Sequence, residues 1–249
     1  RGSKFEPVGV AQGWSPESYA LAVAELEAIG YSRIAIGGLV PLKTDQIHRV
    51  LTEIGKVRKE ADLHLFGVTR LDDQLFSDFT KSGVTSFDTT SPFRQAFKDA
   101  SDNYYVLDSA FMALRVPQVE GNAKFGARIR SGEVDQRLAR RLEQEALRAL
   151  RGFDREETSV DDALDALFAY RNLWDEKKAD HRGAYRQTLE AAPWRQCGCT
   201  ICKDVGIEVA MFRGSERNKR RGFHNMHVFA KRLERAVESH ESRHLQKAA

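Results

Sequence analysis

Short apolar runs that alternate with amphipathic stretches fill residues 7–92, and this alternation restricts the fold more than any other feature of the chain. Pro7-Val8-Gly9-Val10-Ala11, Arg33-Ile34-Ala35-Ile36, Leu63-His64-Leu65-Phe66-Gly67-Val68 and Val84-Thr85-Ser86-Phe87-Asp88 read as strands. Between the first two, Ser15 is placed to cap a helix that has Pro16 at its first position, and Gly30 ends it. Tyr19, Ala22, Val23, Leu26 and Ile29 fall at three- and four-residue steps, which predicts one buried face. Thr44 can cap a second helix running toward Ala61, and Asp72 begins a third that Gly83 closes. Strands and helices in this order require crossovers and a parallel sheet, either a (β/α)8 barrel or a doubly wound sheet. Gln12-Gly13, Gly37-Gly38, Thr69-Arg70 and Asp88 stand where strands run out toward the next helix. In a barrel those ends make the active-site face and would converge on one pocket. The units present make only half a barrel, so either the other half lies outside this chain or the sheet is open.

The chain has 3 cysteines, and all stand together in Cys197-Gly198-Cys199-Thr200-Ile201-Cys202, with His224 following in Phe223-His224-Asn225. Three thiolates and one imidazole match the Cys3His set of structural zinc sites. The plainer reading is three ordinary cysteines beside a surface histidine, and the absence of cysteine elsewhere weighs against it. An odd, clustered set also suits a reducing compartment better than disulfides do.

Net charge is only +3 over 249 residues, but its distribution is uneven. Arg213, Arg217, Lys219, Arg220 and Arg221 precede His224 as a basic loop, a candidate surface for nucleic-acid phosphates; a solvated charge run is the alternative. No apolar run approaches the roughly 18 residues a membrane span needs, and no signal peptide opens the chain, so a soluble, cytoplasmic protein with no membrane partner is expected. Arg1 rather than methionine begins the sequence, and the chain is expected to be a piece of a longer protein. From about Pro92 to Pro193 the strand pattern stops. Residues 133–150 and 160–173 read as packing helices, and a final helix starting near His224 buries Met226, Phe229, Leu233 and Val237. The expected divisions are therefore 1–92, the strand and helix units; 93–193, a helical insertion; 194–238, the cysteine and basic segment; and 239–249, a frayed polar tail.

Gly9-Val10-Ala11-Gln12-Gly13, Ile36-Gly37-Gly38-Leu39, Phe66-Gly67-Val68, Phe87-Asp88 and the Cys-x-Cys-x-x-Cys with its later His-Asn occur in the order of the tRNA-guanine transglycosylase family, which this chain resembles over roughly residues 7–92 and 194–230. Tyr104, Ala113-Leu114-Arg115-Val116-Pro117, Trp194, Phe212-Arg213-Gly214 and Arg221-Gly222-Phe223-His224-Asn225 look more like the branch that acts on DNA and inserts a 7-deazaguanine such as preQ0. The resemblance implies the C-terminal portion of a (β/α)8 TIM barrel, with a helical insertion and a zinc-binding subdomain. It implies structural zinc on Cys197, Cys199, Cys202 and His224; His227, one turn later, is the rival ligand, and the His-Asn match favours His224. Asp88 matches the nucleophile, which would form a covalent aspartyl-nucleotide intermediate in the manner of retaining glycosidases. Gln12 matches the residue that reads the base edge; Gly37, Gly38 and Leu39 match the backbone segment beside it; Phe66 and Gly67 match the pair that packs on the base face.

The general acid/base and a second base-recognising aspartate of the family belong to the half-barrel missing here. Asp72, Asp73 and Asp99 carry no motif for that role. The chain is expected not to be fully active unless a preceding segment or another subunit completes it. Expected partners are nucleic acid, DNA before tRNA, a 7-deazaguanine base and the other proteins of a DNA-modification system. A non-catalytic zinc and nucleic-acid binding module, or a partner subunit, is the alternative from another class.

Overall fold

The computed structural model describes residues 4–68, 73–98, 102–175 and 180–248. Thr69-Arg70, Asp72 and Asp99 lie outside them. The chain divides into two compact units, Arg1–Ser91 with Arg232–Ala249, and Pro92–Lys231.

The first unit begins β1 (Gly9–Ala11), α1 (Pro16–Ile29), β2 (Arg33–Ile36), α2 (Thr44–Val57), β3 (Asp62–Leu65), α3 (Asp73–Ser82) and β4 (Val84–Phe87). Its 4-stranded sheet is parallel, in the order β1-β2-β3-β4. Strand alternation separates two faces. Ile34, Ile36, Leu63 and Leu65 are buried in one core with Val23 of α1 and Ile47, Leu51 and Ile54 of α2. The opposite face carries the register row Val10, Ala35, His64 and Ser86, of which Val10 is 56% exposed. The last helix contributes Leu233 and Ala236 to this unit's core.

Local chemistry explains where the helices start and stop. Ser15 and Ser18 form a reciprocal capping box with Pro16 in the first turn, and Gly30 ends α1 in the left-handed region at φ 102°. Ile29, expected on the buried face, is exposed because α1 is already closing there. The second helix is capped from Lys43, whose backbone N–H donates to Gln46 Oε1, rather than from Thr44. It stops at Val57, short of Ala61, because the next backbone amides turn to another partner. Glu27 accepts from the N–H groups of Lys59, Glu60 and Ala61 at 2.9, 2.9 and 2.8 Å.

The second unit contains α4 (Ser91–Gln95), β5 (Tyr104–Tyr105), β6 (Ala110–Phe111), β7 (Leu114–Arg115), α5 (Ala123–Arg130), α6 (Gln136–Asp154), α7 (Val160–Trp174), α8 (Arg182–Ala191), α9 (Pro193–Gln196), α10 (Thr200–Val205), a 3-10 turn (Gly206–Val209), β8 (Met211–Phe212) and the start of α11 (Gly214–Ala248). The antiparallel β5–β6 and parallel β7–β8 pairs correct the expectation that strands stop after Pro92. Each of these strands has only 2 residues, too short to show an alternating pattern. Leu150, Leu167 and Tyr185 of the helices share one core with Trp194, Cys202 and Met211, so packing does not break between residues 193 and 194. Asp154 joins the same two regions, accepting from Trp194 Nε1 at 2.6 Å and from the Ile207 amide at 2.9 Å.

The last helix starts at Gly214, well before His224, and runs to Ala248. After Arg213 the basic segment is therefore helix rather than loop, and residues 239–248, expected as a frayed tail, are helical. Residues 223–248 hold no proline or glycine to interrupt them.

Glu27 supplies a test of this fold. Burial pushes its pKa up, but the three backbone donors outweigh burial and lower it. Its contribution is therefore present above the ordinary glutamate range and disappears as pH falls through the lowered folded value. Glu27→Ala should cost about 1 kcal/mol in urea unfolding at neutral pH, and the difference from wild type should shrink on acidification.

Candidate metal centre and strand-end site

The candidate metal cluster is assembled by two short helices and the long α11. Cys197 follows α9, Cys199 caps α10, Cys202 lies in the first turn of α10, and His224 comes from α11. Their donor atoms all lie within 4.8 Å of one another. From His224 Nδ1 to the sulfurs of Cys197, Cys199 and Cys202 the distances are 3.6, 3.6 and 3.3 Å. Metal–sulfur bonds of about 2.3 Å and metal–nitrogen bonds of about 2.0 Å at the tetrahedral angle place such pairs about 3.5 Å apart. The residues thus fit a four-coordinate ion, and the sulfur-rich donor set suits a borderline-soft one.

The surroundings fix the histidine's tautomer. Tyr105 O, 2.8 Å from His224 Nε2, can only accept, so Nε2 carries the hydrogen and Nδ1 presents its lone pair to the sulfurs. Tyr104 stacks on the imidazole at a centroid distance of 4.4 Å, and its hydroxyl lies 3.4 Å from Cys202 Sγ. A hydrogen bond with Cys202 holds the Cys197 thiol far below the ordinary range; burial pushes Cys199 up. His227, one turn further on, is not a member of the cluster.

The basic residues have unequal surroundings. Arg221 is wholly buried and donates to Met211 O at 2.9 Å, Ala96 O at 2.6 Å and Asn218 Oδ1 at 2.6 Å. Arg213 pairs with Glu143 and donates to Val116 O and Pro117 O at 3.2 Å. Arg217 pairs with Glu208. These guanidiniums hold the chain's own backbone and carboxylates, which corrects their grouping as a phosphate surface. Lys219, bonded to Glu216 at 2.8 Å, and Arg220 remain exposed.

At the carboxyl ends of the first unit's strands, Asp88 is exposed, its side chain 53% accessible. Gly67 N–H donates to Asp88 Oδ1 at 3.1 Å, and His64 Nε2 lies 3.5 Å from the same oxygen. His64 Nδ1 is 2.9 Å from Ser86 Oγ, and its ring meets Phe66 edge to face at 5.1 Å. Gln12 lies against Gly37, where a Cβ would sit 2.9 Å from Gln12 Nε2. The Tyr19 hydroxyl donates to Gly37 O at 3.1 Å and lies 2.7 Å from where Gly38 would place a Cβ. Gly38 also has φ +76° and Gly67 φ +72°, so both positions favour glycine. Leu39 is buried in the core and can offer a ligand only its backbone. The structure brings Asp88, Gly67 and Phe66 together, and places Gln12 with Gly37. His64 was missed from sequence; its signal is an imidazole between two leucines, on the opposite face from both.

No protein-family model matches the chain. A DNA-guanine transglycosylase of Salmonella montevideo is 46% identical to it over 236 residues, covering 93% of this chain. Over that region the chain is similar to a DNA-guanine transglycosylase. It spans 56% of the length of that transglycosylase relative. The aligned region includes most of both units, so relationship to the transglycosylases does not rest on the cysteine cluster alone.

Two substitutions test this geometry. Cys199→Ser should lose bound metal at least about tenfold more readily in chelator competition and unfold at lower temperature. Arg221→Ala should destabilise by about 3 kcal/mol, whereas Arg220→Ala should stay within about 0.5 kcal/mol in denaturant titration.

Proposed function

We propose that this chain carries the nucleophile and base-reading edge of a transglycosylase that exchanges guanine in DNA for a 7-deazaguanine of the preQ0 type. The observation that carries the reading is Asp88: an exposed carboxylate at a strand end, oriented through Oδ1 by Gly67 N–H, beside His64. Oδ2 makes no hydrogen bond among the described residues, which supports reading it as the reacting oxygen. We read the sheet as part of a (β/α)8 barrel. Its sequential strand order and a core that buries one face against α1 and α2 support that, since a doubly wound sheet reverses order and buries both faces.

In this reading Asp88 Oδ2 attacks C1′ of the target nucleotide as the C1′–N9 bond breaks. The bonding pair leaves with guanine N9, which takes up a proton. The incoming base then bonds to C1′ through its own N9, loses the N9 proton, and returns the carboxylate. Gly67 N–H and the His64 imidazole share the charge on Oδ1 and keep the carboxylate aimed. Gln12 donates and accepts at the base edge, and the Gly37-Gly38 backbone lets a flat heterocycle come close. No described residue is assigned to the proton transfers.

The ion in the Cys3His site is read as zinc with a structural role, because four protein donors leave no position for water. A duplex target would have to release its guanine from the stack to reach Asp88, so unpaired or flexible sites should react faster.

The test supplies radiolabelled preQ0 to the full-length protein with DNA or tRNA. Label should enter DNA, and Asp88→Ala should reduce incorporation at least about a thousandfold with metal content unchanged. Label entering tRNA alone would replace the substrate, and normal incorporation by Asp88→Ala would remove the nucleophile.

A further inference from the structure

Three phenylalanines form a continuous patch on the second unit. Phe93 meets Phe97 at 5.5 Å and Phe223 at 5.2 Å between ring centroids, and Phe97 and Phe223 remain 39% and 59% exposed. Three clustered rings with two of them in water are not the isolated surface hydrophobes that need no explanation. The patch is also built rather than incidental. Arg221 donates to Ala96 O at 2.6 Å and Asn225 to Pro92 O at 3.1 Å, so buried side chains of α11 hold the turn that carries Phe93 and Phe97. Gly222 leaves the room Phe93 occupies: a Cβ there would come within 2.6 Å of the ring.

Cationic residues lie close to these phenylalanines in sequence. Arg94 and Lys98 flank Phe97 along the chain, and Lys219 and Arg220 share the helical face of Phe223. Arg94, Lys98 and Arg220 are exposed and make no ion pair among the described residues. Lys219 is bonded to Glu216, the acidic group on that helical face.

Aromatic faces with positive charge at their edge suit one chemistry in particular: an unpaired nucleotide, whose base stacks on a ring while its phosphates meet the cations. We infer that Phe93, Phe97 and Phe223 are a stacking platform for an unpaired nucleotide of the substrate strand, with Arg94, Lys98 and Arg220 holding the adjoining phosphates. This rests on the reading of nucleic acid as substrate. It goes beyond base exchange at Asp88, because the base held here is another base of the strand, not the target.

The test measures binding of a fluorescent, guanine-containing single-stranded DNA to the full-length, metal-loaded protein by anisotropy. Phe97→Ala/Phe223→Ala should weaken binding about tenfold or more. Arg220→Ala should lower the salt slope by about 0.7. Phe223→Trp should keep affinity, and its indole emission should be quenched by the strand but not by a strand abasic beside the guanine. Circular dichroism and metal content check that the double variant folds, and the tryptophan variant stands if it does not. Affinity within twofold of wild type, or unquenched emission from a strand that is bound, would overturn the platform. So would a copurifying protein released by these substitutions with strand binding intact, or failure of the wild type to bind the strand at all. Wild-type incorporation of preQ0 into DNA with normal binding by the double variant overturns the platform and leaves the transglycosylase standing. Platform-dependent binding without incorporation does the reverse.

Discussion

His224 is bonded on both sides of its ring, and the second unit is organised around that. Nδ1 faces three sulfurs, Nε2–H reaches Tyr105 O, and Tyr104 covers the ring face. One side chain of α11 thus fixes the cysteine segment and the β5–β6 hairpin. Asn225, the next residue, accepts from Tyr105 N–H and donates to Pro92 O and Asn103 O. Each satisfied group removes an alternative packing, since an unpaired buried donor or acceptor costs about 1–3 kcal/mol.

The strand-end site relies on backbone more than on side chains. Asp88 is oriented by an amide, and the missing Cβ of Gly37 leaves the space that Gln12 occupies beside the backbone. Main-chain groups positioned by parallel strands move little, which suits the nucleophilic role proposed for Asp88. His64 belongs with them because its strand register places it in the row between Ala35 and Ser86.

Much of this was legible in the residues themselves. Apolar steps and Ser15, Pro16 and Gly30 marked α1, and the cysteine spacing marked the metal donors, because local covalent geometry governs both. The order of motifs also pointed to the family. Less could be seen where partners are distant in sequence. The run from Arg213 to Arg221 looks uniformly cationic, yet Glu143, Glu208 and the carbonyls near Ala96 and Met211 turn three of its members inward. No spacing rule records those partners. Nor does any periodicity announce two-residue strands such as β5 and β7, which exist because a neighbouring strand supplies their hydrogen bonds.

Gly37 has a thermodynamic consequence. By lacking a Cβ it gives the Gln12 amide a place to rest on the backbone before any ligand arrives. A free glutamine loses up to about 2 kcal/mol of rotamer entropy when it is immobilised. On the proposed reading, where Gln12 meets a base, any part of that ordering completed during folding would spare binding energy. Discrimination between heterocycles, in that reading, would be inherited from the registry of β1 and β2, and loosening those strands would blur selectivity before it unfolded the protein.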